Sequence, residues 1–172
     1  MGSLVGSRVE RKEDKRFLTG KGRYTADINI TNQTYAVFVR SPHARAKIKK
    51  VNFSKASKSS GVVSVLTGAD IVNDKIGGLI AGWKIVSEDG SDMKVPAHPP
   101  LASDTVNYVG DHVAVVIAES LDEAKAAANL VEVDYKVLQA VTSTADAIKS
   151  EKIYNDIDKN LCFDWLLGDR AK

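Results

Sequence analysis

The sequence has few of the residues that make covalent or metal cross-links. It holds one cysteine, Cys162, in 172 residues, which excludes an internal disulfide and any metal site built from cysteines alone. A lone thiol fits a reducing compartment. The three histidines, His43, His98 and His112, do not stand three or four residues from another ligand type, so spacing supports no metal site. Long apolar runs are also missing. None approaches the roughly 18–20 residues that a membrane span needs, and the N-terminus lacks the apolar stretch of a signal peptide. Met1-Gly2 opens like a myristoylation signal, but Gly6 stands where serine or threonine is required. A soluble cytoplasmic protein is expected. No internal repeat or low-complexity segment is present, and no Walker sequence.

Apolar residues make up 44% of the chain, enough for one core, and charged residues 27%. The net charge of +2 hides an asymmetry: residues 1–50 carry twelve Lys/Arg against four Asp/Glu, leaving twelve against eighteen for the rest. A basic front end of this kind meets an acidic or polar partner, or the chain's own acidic half.

The pattern of apolar residues and turn formers predicts a series of short elements. Residues 1–23 are polar and glycine-punctuated, and predict an extended arm with a short turn around Glu13–Phe17. Strands are expected at Gln33–Arg40, Ala46–Phe53, Val62–Leu66, Thr105–Tyr108, His112–Glu119 and Glu132–Leu138. Gly110-Asp111 reads as the turn of a hairpin joining two of these. The near-continuous apolar run HVAVVIAE predicts a strand buried on both faces. Ser120, with Glu123 three residues on, marks the start of the clearest helix, SLDEAKAAANLV. Shorter helices are expected after Ser54 and over Thr144–Ser150. The strand–helix–strand order of residues 112–138 predicts a βαβ unit and a mixed sheet in an α+β fold. Asn73–Ser103 holds three of the four prolines and reads as a long loop of the kind that is functional or mobile.

Each residue with chemical potential has a plain structural explanation beside it. His112 opens a core strand. His43 follows Ser41-Pro42 at a strand end, as a surface or interface group. Gly20-Lys-Gly22 lacks the third glycine and the preceding strand of a dinucleotide fingerprint. Cys162 lies among apolar residues, as an inert thiol does. Asp122-Glu123 sits in the first turn of a helix, where the dipole favours carboxylates. Tyr108, Tyr135 and Trp165 fall in apolar patterns. The arm carries Arg8, Arg11, Lys12, Lys15, Arg16, Lys21 and Arg23, which could meet phosphates, but Glu10, Glu13 and Asp14 interleave with them and weaken that field. The residues by themselves define an α+β module with a basic arm, and assign no catalytic, cofactor-binding or metal-ligating residue to it.

Several ordered motifs then resemble a known family. Arg11…Glu13-Asp14…Arg16-Phe-Leu-Thr-Gly-Lys-Gly22…Tyr24…Asp27 is similar to the opening of the molybdenum-binding large subunit of the xanthine dehydrogenase/aldehyde oxidase family, most of all its carbon monoxide dehydrogenase branch. Tyr35–Ala44, Gly61–Asp70, Pro100-Leu-Ala102 with Tyr108–Glu119, Ala124–Tyr135, and Phe163 with Gly168-Asp169 continue the resemblance in order. His112 stands where that family commonly has proline, and Cys162 where alanine is usual.

The resemblance implies an a/b-hammerhead domain: a basic arm over residues 1–27, the hammerhead over 28–150, and an exit segment over 151–172 leading to cofactor-binding domains. It implies a structural and assembly domain without a complete active site of its own, present as a shortened chain, a gene fragment or one polypeptide of a split subunit. The molybdenum–molybdopterin cofactor would lie in the remainder of the large subunit, and iron–sulfur clusters and FAD in partner subunits. The alternative reading is a free-standing module whose arm binds nucleic acid or protein.

Overall fold

The computed structural model describes residues 5–168, so Met1-Gly2 and Asp169 lie outside the described residues. The chain divides into two compact units, residues 1–33 and 34–172.

The first unit is organised by local chemistry. Helix α1 (Asp14–Leu18) is five residues long and closes on Gly20, whose φ of 69° is left-handed. Lys21 N–H donates to Arg16 C=O at 2.8 Å and Gly20 N–H to Phe17 C=O at 3.1 Å, the paired bonds of a Schellman stop. Phe17 then stacks on Tyr24, with centroids 5.4 Å apart. Gly22 lies under that ring: a Cβ there would meet Phe17 Cδ1 at 2.7 Å. Tyr24 N–H donates to Asp27 Oδ2 at 2.9 Å and starts a single 3-10 turn. No described residue of this unit is buried.

The second unit holds six strands: β1 (Tyr35–Arg40), β2 (Ala46–Asn52), β3 (Val62–Thr67), β4 (Thr105–Val106), β5 (His112–Ala118) and β6 (Glu132–Val137). They form two three-stranded sheets, ordered β1-β5-β3 and β4-β2-β6, with every pairing antiparallel. Helices α2 (Gly68–Asn73) and α3 (Leu121–Ala128) lie between strands, and α4 (Thr144–Ala147) follows the last of them. The α+β hammerhead expectation holds, but three details are corrected. Among the described residues there is no mixed sheet and no βαβ unit: β5 and β6 lie in different sheets, with α3 carrying the chain from one to the other. Both edges of β5 are occupied, by β1 and β3, so it has no free edge for β6. β6 instead pairs with the lysine-rich β2, placing Asp134 opposite Lys50, an opposite-charge pair that favours the register. Nor do β4 and β5 form a hairpin. β4 pairs with β2, and Gly110 (φ 93°) turns the chain toward the other sheet while Asp111 Oδ2 accepts from Asn107 N–H at 3.0 Å.

β5 is the hub of the core. Its Val113 joins Ala46, Ala102 and Val106; its Val116 joins Ala56 and Ala127 beneath α3; its Val115 joins Ile71 and Leu101 beside α2. Burying a valine fully contributes roughly 1.5–3 kcal/mol, and three clusters share this one strand. Ser120 Oγ accepts from Glu123 N–H at 3.3 Å and donates to its carboxylate at 2.7 Å, as the helix-start signal predicts. The turn after Ser54 is a single 3-10 turn, Ala56–Lys58, without a side-chain cap.

Residues 78–98 are ordered by ladder-like bonds. Leu79 N–H donates to His98 C=O at 2.8 Å, Met93 N–H to Ile85 C=O at 2.9 Å, and Ser87 N–H to Ser91 C=O at 2.8 Å, with Val86 bridged to Asp92. The result is a ribbon with its tip at Glu88–Ser91. The tail runs along it: Lys94 N–H donates to Cys162 C=O and Glu88 N–H to Asp164 C=O, both at 2.9 Å.

Candidate functional site

Two surfaces of the second unit stand out: a polar cleft and the ribbon with its tail. The cleft encloses about 440 Å3 between the β4 edge and the exit segment. Its walls are positioned by two clips. Arg45 donates through its terminal nitrogens to Gln139 C=O and Lys152 C=O, each at 3.2 Å. Asn160 accepts from Ile153 N–H at 2.7 Å and donates to Ala147 C=O at 2.9 Å and Glu151 C=O at 3.0 Å. Asn160 and Lys159 both adopt left-handed backbone, at φ 54° and 55°, the conformation that lets the asparagine amide turn back into the segment. Together the clips hold Tyr154 at the cleft wall.

Asp111, only 6% exposed, lies in this wall. None of the three ion pairs among the described residues includes it. Burial, followed by the Asp111 charge, pushes the Tyr108 and Tyr154 phenols above their ordinary value. Burial also raises Tyr135, with the Ser41 hydroxyl opposing the rise. Tyr108 Oη lies 3.3 Å from His98 Nε2. Two buried polar atoms of the cleft residues, Arg45 Nε and Asn107 Oδ1, have no hydrogen-bond partner.

The histidines have separate surroundings. His112 stacks on Phe38 at 4.4 Å, and His43 meets the Tyr135 ring edge-on at 5.0 Å. His98 is at the cleft with Tyr108. Among the described residues, no three His, Cys, Asp or Glu side chains gather in a way that could hold a metal ion. Gly20 and Gly22, the two glycines of the arm's motif, serve the helix stop and the Phe17 ring described above. Cys162 is half-buried and braces the ribbon through its backbone. Tyr135 packs against the β2–β6 sheet core. Trp165 is 53% exposed on the tail, contrary to the core position its pattern predicts. Sequence reasoning also missed Arg45 and Asn160. A buried-side arginine after Ser41-Pro42-His43-Ala44 and an asparagine ahead of an apolar tail carry no periodic signal; only the fold supplies their carbonyl partners.

The residues of the cleft do not fit a molybdopterin. Asp104 and Asp111 line it and would repel the cofactor's phosphate, while the Arg45 terminal nitrogens are already spent on carbonyls. A single cysteine likewise does not supply the thiolate set of an iron–sulfur cluster.

Two antiparallel sheets joined through one helix, with short flanking helices, define a small α+β domain of the hammerhead type. The chain belongs to the aldehyde oxidase and xanthine dehydrogenase family: the model of that family's a/b hammerhead domain matches residues 19–139. It is 39% identical over 153 residues to the nicotine 6-hydroxylase large subunit of Paenarthrobacter nicotinovorans, covering 89% of this chain and 18% of that protein. It is 33% identical over 182 residues to the carbon monoxide dehydrogenase large chain of Afipia carboxidovorans, covering 96% and 21%. Among solved structures, quinoline 2-oxidoreductase from Pseudomonas putida 86 matches with a TM-score of 0.74 at 36% identity, over 88% of this chain and 18% of that one. The Cu,Mo-CO dehydrogenase matches with a TM-score of 0.65 at 34% identity, over 83% and 17%. The chain therefore spans about one fifth of the length of these relatives. Among the described residues no helix is long and apolar enough to cross a membrane.

Proposed function

We propose that this chain is the hammerhead assembly domain of a cytoplasmic molybdenum hydroxylase, or of an aerobic carbon monoxide dehydrogenase-like oxidoreductase. The observation that carries this reading is the match of the hammerhead model to residues 19–139 within a chain that spans 18% of the nicotine 6-hydroxylase large subunit. The assembled enzyme would insert oxygen from water at a carbon centre, or oxidise carbon monoxide. Molybdenum–molybdopterin would be held by the remaining large-subunit domains, and electrons would pass to iron–sulfur and FAD subunits. No step is assigned to residues of this chain. Its part is to pack against the cofactor-binding domains, with residues 1–27 as a strap to a neighbouring subunit, 28–150 as the hammerhead body, and 151–172 leading toward those domains. An arm with local order and no buried residue gains further order by binding.

Affinity purification of the tagged 172-residue chain from its source cells tests this reading. A molybdenum-containing polypeptide of the family should co-purify in stoichiometric amount, with metal measured by mass spectrometry. Deleting residues 1–23 should leave the remainder folded and weaken that association; unchanged co-purification would remove the strap. Purification of the chain without such a polypeptide, together with DNA affinity that falls steeply with salt, would replace the whole reading with that of a nucleic-acid module.

A further inference from the structure

Strand β1 ends its sheet. The order is β1-β5-β3, so β5 occupies one edge of β1 and no strand occupies the other. An edge strand turns every second N–H and C=O away from its neighbour. Among the described residues, none bonds to the main chain of residues 35–40 outside the β1–β5 ladder. Both edges of the second sheet are blunted: β6 carries Glu132, Asp134 and Lys136, and β4 is two residues long, two devices that discourage strand addition. β1 carries one charge, Arg40, at its end. A groove of about 420 Å3 lies against it, lined by residues 37–40 and, from α3 and its end, by Lys125, Ala128 and Asn129. Successive residues of a strand point to opposite faces. A groove that touches four in a row therefore lies at the edge of the strand and not on one face.

The two sides of this edge differ. Val37 pairs with Val116, which packs beneath α3 beside Ala127, and Val37 and Val39 are both half-buried. That side is apolar. Phe38 pairs with Val115, on the α2 side, and is 41% exposed; Arg40 follows it in the alternation and is exposed as well. The charges of the groove are Arg40 and Lys125, and no carboxylate lines it. Neither cation belongs to the ion pairs among the described residues; Arg40 donates through one terminal nitrogen to Gly110 C=O at 3.2 Å. The geometry points to β1 as a docking edge for an extended, acidic peptide segment of a separate polypeptide, added as a fourth strand to the β1-β5-β3 sheet. Main-chain bonds to β1 supply the affinity of such a contact, and alternate side chains its specificity. Apolar groups meet Val37, Val39 and Ala128; carboxylates meet Arg40, with Lys125 at the groove wall. A second copy of β1 would bring another Arg40 and no carboxylate, so charge favours an acidic chain. The assignment does not depend on the assembly role proposed above and uses none of the residues of the strap.

Fluorescence anisotropy of the 172-residue chain with a fluorescein-labelled peptide of alternating valine and glutamate tests the assignment. Saturable binding is expected below about 1 mM, and none of the valine–lysine counterpart. Arg40→Glu/Lys125→Glu should weaken binding roughly tenfold with the urea midpoint unchanged, because both side chains are exposed. Lys125→Glu alone should weaken it about threefold. N-methylation of alternate peptide nitrogens separates strand addition from adhesion to the surface. One alternate set faces β1, so its methylation should abolish binding, while methylation of the other set leaves binding intact. No saturation by the valine–glutamate peptide, equal binding of the lysine peptide, or the same result from both methylated sets would overturn the assignment. A dimer of the free chain in sedimentation whose formation blocks the peptide would make a second copy the occupant and overturn it too. Hydrogen exchange gives the last arm. If the outward amides of residues 35–40 exchange fast in the free chain but slowly in the enzyme purified through a tag on it, the rest of the large subunit already covers the edge; the assembly role then stands and this assignment falls.

Discussion

The N-terminal unit and the sheet unit reach order by opposite routes. In residues 5–33 the contacts that shape the backbone join neighbours in sequence: the Gly20 stop, the Phe17–Tyr24 stack, the Arg16 guanidinium 5.1 Å over the Phe17 ring, the Tyr24–Asp27 bond. Contacts of this kind in water contribute a few tenths to about 1 kcal/mol each, and a five-residue helix is far below the length at which helices persist alone. In the sheet unit the decisive contacts are distant in sequence. β5 reaches back to β1 and β3 and is covered by α2 and α3. The arm thus leaves its apolar and charged groups available to a partner, whereas the body depends on one strand. Exposure alone does not separate partner surface from ordinary surface.

The comparison is broken most directly at the hub. Val116→Asp buries a carboxylate in the cluster of Ala56 and Ala127 with no cation to meet it. The cost is on the order of 3–5 kcal/mol, a large fraction of the stability of a small domain. Loss of the cooperative transition in urea is expected. A midpoint near that of the parent would show that β5 is not the centre of the fold.

A smaller effect is expected at Asn160. Asn160→Ala removes one acceptor and two donor bonds from the exit segment and strains a left-handed residue, for a cost of roughly 2 kcal/mol. Asn160→Gly removes the same bonds without the strain. Glycine should therefore recover about 1 kcal/mol relative to alanine; equal values would mean that backbone conformation contributes nothing there. Hydrogen exchange at Ile153 should speed up in both variants.

How far the chain was legible follows this same division. Elements fixed by local chemistry could be read directly: the Ser120 cap, the Tyr35–Arg40 strand, the doubly buried β5, and the ordered motifs of the family. Choices fixed by competition for edges could not. Gly110-Asp111 is a sound hairpin signal, but β5 had both edges filled, and β4 turned to β2. The alternation of β6 states which side chains share a face, not which strand lies beside it. The long loop of residues 73–103 carried no period because its pairing runs through single bonds and through a tail about seventy residues away. The cleft depends on Arg45 and Asn160, whose partners are backbone carbonyls that any sequence would supply.

At the start of α2 the expected effect is smaller again and depends on pH. Asp70 Oδ2 accepts from Thr67 N–H at 2.7 Å and Thr67 Oγ1 at 2.9 Å. The Thr67 amide, then its hydroxyl, hold the Asp70 carboxyl below the ordinary value of 3.8. A group with a depressed folded value stabilises the fold above its unfolded value, and that contribution is lost as pH falls through the folded one. Asp70→Ala should cost about 1 kcal/mol at neutral pH. The gap between variant and parent should close below the depressed value. A difference that persists unchanged to pH 2 would assign the effect to packing instead of the cap.

The smallest effect on the body is expected from the arm, and it sharpens the comparison most. Gly20→Ala forces a side chain into left-handed backbone at a cost of about 1 kcal/mol. Gly22→Ala places a methyl 2.7 Å from the Phe17 ring, which must tilt off Tyr24. Both changes act within residues 5–33, where nothing is buried, so the unfolding midpoint of the sheet unit should move by less than about 0.5 kcal/mol. Nuclear Overhauser contacts between Phe17 and Tyr24 should nevertheless weaken in each variant. If the arm is the strap proposed above, each substitution also reduces affinity for the neighbouring subunit, because binding must then restore the lost local order. A variant that loses the ring contact but keeps full affinity would mean that the charges of the arm bind without its shape. A variant that shifts the sheet unit's midpoint would mean that the two units are not energetically independent.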